Sequence, residues 1–103
     1  MTEKAWKRAK RRIADILGGQ RVPVSGRQRG DAPDIAHEST SIEVKTRKSI
    51  PASIEDALRQ ADASSKEGQL PVVVLHQAGR RYWDALVVMR LENLVRHMQN
   101  GDF

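Results

Sequence analysis

Two acidic residues and a lysine lie within short apolar runs of the segment APDIAHESTSIEVKTRKS, residues 32–49. They are Asp34, Glu43 and Lys45. Alternate residues of a strand point to the same face, so Glu43 and Lys45 project together while Val44 points into the core. A short turn joins Asp34 to this strand, and Asp34 approaches Glu43 if the two segments pair. The segment therefore predicts two carboxylates and an ammonium group close together.

Such a group contains the parts needed for metal-assisted hydrolysis of a phosphodiester. Two carboxylates without a cation raise each other's pKa, and a bound divalent ion removes that conflict. A site with only a few oxygen ligands from the protein suits Mg²⁺, which keeps several bound waters that a substrate phosphate can replace. A metal-bound water supplies the nucleophile, and Lys45 can orient that water or stabilise the charge that builds on the phosphate.

Each of these signals also has a purely structural interpretation. Glu-x-Lys on a strand is commonly an ion pair worth about a few tenths of a kcal/mol, and a lone Pro-Asp is commonly a turn or a cap. Their spacing, the apolar neighbours and the basic first half of the chain together favour the catalytic interpretation.

Length and composition bound the class of protein. The 103 residues fit one domain with one modest core, and we expect a single domain over residues 1–103. The absence of cysteine excludes disulfides and thiolate metal sites. No apolar run has the length of a membrane span, and the basic N-terminus lacks the apolar stretch of a signal peptide. We therefore expect a cytoplasmic protein without membrane partners, located in the host cytoplasm if the source is viral.

Positive charge is concentrated in the first half of the chain. Residues 1–48 contain twelve Lys and Arg against six Asp and Glu, whereas residues 49–103 contain six against seven. Such an asymmetry indicates a polyanionic partner, although a solvated face that keeps the protein soluble is the alternative.

Hydrophobic spacing predicts the elements of the first half. A helix is expected over residues 2–17, capped by Thr2 and ended by a left-handed turn at Gly18. Its inward stripe consists of Trp6, Ala9, Ile13 and Leu17. Short strands are expected at residues 22–24, 34–36 and 41–46.

The second half predicts a helix, two buried strands and a final helix. Ser53 is the expected N-cap of the first of these helices, and Gly68 follows its end. The run at residues 72–75 is expected to be a strand buried on both faces. Residues 82–89 are expected to contain a second buried strand around ALVVM, and residues 90–101 are expected to form the last helix. The predicted fold is α/β (α+β), with a mixed sheet flanked by helices.

Pro33-Asp34 and Glu43-Val44-Lys45 resemble the signature of the PD-(D/E)xK nuclease superfamily. The segments RVPVSGRQRGDAPDI, SIEVKTRKSIP, ALRQADASSKEGQLPVVVLHQ and ALVVM resemble small phage and archaeal-type Holliday junction resolvases. This resemblance implies a restriction-endonuclease-like core and a homodimer that cuts four-way DNA junctions. It also implies Mg²⁺ as the cofactor, with Mn²⁺ able to substitute.

The resemblance extends to individual residues. Asp34, Glu43 and the backbone carbonyl of Val44 would bind the metal, and Lys45 would sit beside the attacking water. Gln60 matches a glutamine near the active site of related nucleases, and Ser25 matches a serine that resolvases use close to the metal or the scissile phosphate.

The first helix departs from the pattern of the relatives. They often carry a glutamate at the position that Lys10 occupies here. Glu3 could take its place, two carboxylates could suffice, or Lys10 could mark a weakened or inactivated enzyme.

The basic residues near the predicted site are candidates for phosphate contacts, which give affinity without sequence preference. They are Lys7, Arg8, Arg11, Arg21, Arg27, Arg29, Arg47 and Lys48. Two alternatives to a resolvase stay open. One is another nuclease of the superfamily, such as a nickase or a restriction-like enzyme. The other is a DNA-binding protein on the same fold with weakened or lost activity.

Overall fold

The protein is described by a computed structural model that covers residues 4–21, 34–37 and 39–101. Its contacts divide the chain into two units, Met1–Lys48 and Ser49–Phe103, and each unit is described by itself. The elements are α1 (Ala5–Leu17), β1 (Gln20–Arg21), β2 (Ile35–Ala36), β3 (Ser41–Ile42), α2 (Ala52–Ser64), β4 (Val73–Leu75), β5 (Leu86–Val88) and α3 (Leu91–Gln99).

Helix α1 ends where a glycine takes the left-handed conformation. Gly18 has φ 75°, which a residue with a Cβ adopts only at a cost. The following N–H, that of Gly19, donates to the carbonyl of Ala14 at 3.0 Å. This is the Schellman arrangement, which satisfies carbonyls that the helix end leaves unpaired. The predicted end of the helix is confirmed, whereas the proposed cap, Thr2, lies outside the described residues.

Strands β1, β2 and β3 form an antiparallel sheet in that order. Helix α1 packs against β1 and β2. The buried core of this unit consists of Ala14, Ile35 and Val44, with Ile13 and Ile42 packed against it. The predicted strand at 34–36 is confirmed as β2. The predicted strand at 41–46 is shorter than expected, because regular pairing stops at Ile42.

In the second unit, α2 packs against β4, and β4 pairs antiparallel with β5. Leu58 is the most buried residue of α2, with 6% of its surface exposed. A turn of 3₁₀ helix at Tyr82–Asp84 precedes β5. Arg90, just before α3, donates to the Glu55 carboxylate of α2 through both of its terminal nitrogens. This two-point contact connects α2 to the start of α3.

Three details differ from the sequence-based expectations. Ser53 is not the N-cap of α2, because Pro51 takes that position with φ fixed at −50° and the helix begins at Ala52. Trp6 is 41% exposed rather than buried. The runs at 72–75 and 82–89 are not buried on both faces, since Val74 and Val87 are 61% and 58% exposed.

The α+β class is confirmed by these helices and small sheets. Within the first unit the described strands form a three-stranded antiparallel sheet, and within the second unit they form a two-stranded antiparallel sheet. Val74 and Val87 pair directly across β4 and β5, so these two exposed residues project from one face of the two-stranded sheet. The single-domain expectation stays a prediction.

Candidate active site

Asp34 is buried at the start of β2. Only 1% of its surface is exposed, and the next residue, Ile35, is completely buried. A carboxylate in such a place is stable only when hydrogen bonds and a cation replace the water it has lost. The residues around Asp34 therefore define the chemistry of this part of the protein.

Both oxygens of Asp34 accept a hydrogen bond. The backbone N–H of Val44 donates to Oδ2 at 2.7 Å. The ammonium of Lys10, on α1, donates to Oδ1 at 2.9 Å and forms a salt bridge. The Lys10 side chain is 15% exposed, so this is a largely buried ion pair.

The sheet register brings Glu43 to the same place. Ile35 pairs with Ile42 across β2 and β3. One step further along this antiparallel register, Asp34 lies opposite Glu43, although Glu43 itself is beyond the end of β3. Directly opposite side chains project on the same face, and the Glu43 side chain hydrogen-bonds to the Asp34 carboxyl. The predicted approach of these two carboxyl groups is present in the structure.

The environment of Asp34 has opposing effects on its pKa. Burial raises the pKa, because it penalises the charged form. The hydrogen bonds from Val44, Lys10 and Glu43, together with the charge of Lys10, lower the pKa and outweigh the burial. The pKa of Asp34 is therefore held well below its ordinary value, and the carboxylate is charged at neutral pH.

The residue types fit a Mg²⁺ ion, which is commonly held by one or two carboxylates with waters completing its shell. Asp34 and Glu43 supply those carboxylates. Val44, whose backbone carbonyl is the third predicted ligand, directly follows Glu43. In the part of the chain that the structure describes, no third His, Cys, Asp or Glu joins them. Glu3 lies outside that part. The ammonium of Lys10 already contacts one of the oxygens that a metal would use.

The other predicted catalytic residues are placed as follows. Lys45 follows Val44 and is exposed, as expected for a side chain that would act on a substrate. Gln60 is exposed on α2, in the second unit, and its backbone carbonyl accepts the hydroxyl of Ser64 at 3.0 Å. Ser25 lies outside the described residues.

Most of the predicted DNA-binding residues that the structure describes are at the surface. Arg8 and Arg11 are exposed on α1, and Arg47 and Lys48 are exposed after β3. Lys7 is half-buried, with its ammonium 5.4 Å from the centre of the Trp6 ring. The side chain of Arg21 lies outside the described part of the chain, and so do Arg27 and Arg29. The phosphate contacts expected of these three residues stay predictions.

Sequence reasoning missed that Lys10 faces inward. Trp6, Lys10 and Ala14 are spaced by four residues and lie on one face of α1. The Lys10 ammonium is 5.1 Å from the Trp6 ring centre, and Ala14 is 2% exposed. The available signal was that Lys10 lies four residues after Trp6, which belongs to the predicted inward stripe. It was hidden because Lys10 lies among other basic residues of an exposed helix.

Comparisons with protein-family models, curated proteins and solved structures gave no match to this chain. Among the helices that the structure describes, none combines the length and the apolar character needed to cross a bilayer.

Proposed function

We propose that the protein is a Mg²⁺-dependent, structure-selective DNA endonuclease that cuts four-way junctions. The observation that carries this proposal is the contact between the Asp34 and Glu43 carboxyl groups, one buried and one at the surface. The exposed lysine two residues after Glu43 supplies a cation where substrate can reach it. The resemblance to the PD-(D/E)xK superfamily assigns the same three residues, and a restriction-endonuclease-like core is part of this proposal.

Each residue has a distinct role in the proposed reaction. Asp34 and Glu43, with the carbonyl of Val44, would hold Mg²⁺ or Mn²⁺, which would supply a nucleophilic water and polarise the phosphate. The Val44 N–H keeps the Asp34 carboxylate fixed through Oδ2, so the ligand does not have to be ordered when the substrate arrives. Lys45 positions the attacking water and stabilises the negative charge that develops on the phosphate oxygens.

The basic first half of the chain supports DNA as the substrate. Contacts to phosphates fix position without reading bases, which suits an enzyme that recognises the shape of a branch. Arg8 and Arg11 on α1, with Arg47 and Lys48 after β3, provide exposed cations in the same unit as Asp34. Cutting both strands of a symmetrical junction requires two active sites, so the proposal includes a homodimer, which acts in the cytoplasm.

The test is an incubation of the protein with a labelled four-way junction and with a linear duplex of matched sequence, in Mg²⁺ or Mn²⁺. We expect paired, symmetrical nicks in the junction alone. Glu43→Gln should abolish cutting, because it removes the charge of a proposed metal ligand. The variant should still bind the junction, because the basic residues proposed to contact phosphates are unchanged. The control is Glu67→Gln, an exposed substitution in the turn after α2, which should cut like the wild type. Equal cutting by the Glu43→Gln variant would refute the site assignment.

A second function is favoured by the ion pair between Lys10 and Asp34. A carboxylate already neutralised by an ammonium group has less need of a metal, and the protein would then bind branched DNA with little or no hydrolysis. Junction binding without nicks in either metal would favour this function. Cutting of both substrates would instead favour a nickase or a restriction-like nuclease.

A further inference from the structure

The ammonium of Lys10 is held on two sides. It lies 2.9 Å from Asp34 Oδ1 and 5.1 Å from the centre of the Trp6 ring. An aromatic face attracts a cation, and a buried carboxylate attracts it more strongly because little water screens the charges. The side chain is 15% exposed, against 1% for Asp34. The Lys10 ammonium therefore supplies a positive charge to this site from the protein itself.

We propose that the Lys10 ammonium competes with the divalent metal for Asp34, so that metal binds only when this ion pair opens. The inference rests on the proposed function, since it takes Asp34 as a metal ligand. Mg²⁺ approaches a carboxylate oxygen to about 2.0–2.1 Å. An ammonium hydrogen-bonded to the same oxygen would then lie beside a doubly charged ion, and the two cations repel.

The same contact explains how the two carboxyl groups stay together without a metal. Asp34 and Glu43 would repel each other if both were charged and no cation were near. The Lys10 ammonium and the Val44 N–H stabilise the charge of Asp34, and the Glu43 side chain is hydrogen-bonded to the same carboxyl group. The site is thus preformed, while its ammonium lowers its affinity for metal. Opening requires only rotation of the lysine side chain, whose four-carbon stem is flexible.

Metal binding can be measured without DNA, from the concentration of free Mn²⁺ by electron paramagnetic resonance. Lys10→Gln removes the charge and keeps an N–H donor for Asp34. We expect it to raise the Mn²⁺ association constant by about tenfold or more, the effect of one close like-charge contact in a poorly screened site. Lys10→Arg keeps the charge and should bind Mn²⁺ no more tightly than the wild type.

The matched control is Lys7→Gln. Lys7 lies on the same helix, and its ammonium is 5.4 Å from the centre of the same Trp6 ring. Both variants replace a lysine by a glutamine, so they change the net charge equally. No increase in Mn²⁺ association is expected from it. The inference is overturned if Lys7→Gln raises Mn²⁺ affinity as much as Lys10→Gln. Equal affinities of the wild type and Lys10→Gln, or no Mn²⁺ binding by either at millimolar concentration, also overturn it.

Circular dichroism establishes whether each variant is folded. If Lys10→Gln is unfolded, Lys10→Met, which fills the same space beside Trp6, is judged by the same criteria. Cutting of the junction is measured separately. Tighter Mn²⁺ binding by Lys10→Gln without any nicks would support the inference and contradict the proposed nuclease function, so the two fail in different ways.

Discussion

Replacing Asp34 by asparagine tests whether the buried ion pair holds the first unit together. A hydrogen bond to a charged group contributes about 1.5–3 kcal/mol, and removal of one partner from a buried ion pair costs about 3–5 kcal/mol. The cost should lie at or below the lower end of the ion-pair range, because Lys10 keeps 15% exposure and its stem allows the ammonium to reach water. We expect Asp34→Asn to lower the free energy of unfolding by about 2–3 kcal/mol at neutral pH.

The loss should also depend on pH. Since the folded-state pKa of Asp34 is held below its ordinary value of 3.8, the carboxylate stabilises the fold fully at pH values above that figure. Its contribution declines as the pH falls below 3.8 towards the folded-state pKa. The difference between wild type and Asp34→Asn should therefore narrow in acid.

Urea unfolding followed by circular dichroism, in a chelator so that no metal binds, measures this difference. The control is Asp15→Asn, which replaces an exposed carboxylate on α1 and should change the free energy of unfolding by less than about 0.5 kcal/mol. The reasoning is refuted if Asp34→Asn costs no more than this control. A loss that stays constant from neutral pH to about pH 2 would refute it equally.

Three further outcomes follow from the structure. Ile35→Ala, at a completely buried position, should lower the free energy of unfolding by about 2–4 kcal/mol; a loss as small as that of the exposed Val87→Ala would contradict the core described here. Gly18→Ala should cost about 1 kcal/mol in the same assay because of the left-handed φ, and an unchanged stability would be evidence against the Schellman end. In a titration of junction affinity against salt, Lys48→Gln should reduce the slope of log affinity against log salt by about one, whereas the matched Lys66→Gln should leave it unchanged.

The approach of Asp34 to Glu43 could be predicted from the sequence because it depends on local periodicity. Two short apolar segments joined by a tight turn pair antiparallel, and the observed register of Ile35 with Ile42 places the acidic residues opposite each other. The burial of Val44 follows from the same alternation. Local strand pairing alone thus determines that Glu43 lies opposite Asp34.

The partner of Asp34 could not be predicted in this way. Lys10 is 24 residues earlier, and its contact depends on how α1 packs on the sheet. Helical periodicity places Lys10 in line with Ala14, but the surrounding basic residues give that face the appearance of a solvated surface. Identifying the pair required the tertiary structure.

The exposure of β4 and β5 shows another limit. A run of four apolar residues, 72–75, is typical of a strand covered on both faces. The run cannot specify how many strands join it. In the structure β4 pairs with β5, and Val74 remains 61% exposed. Composition thus predicted the strand and its apolar character, whereas its coverage depends on contacts between distant parts of the chain.

The central claim is that the Asp34 and Glu43 carboxyl groups form a metal-dependent nuclease site for branched DNA. Its most direct test compares wild type and Glu43→Gln on one labelled four-way junction at millimolar Mn²⁺. The account predicts paired, symmetrical nicks with the wild type and an intact but bound junction with the variant. A junction left uncut by the wild type, or cut equally by both proteins, would contradict the claim.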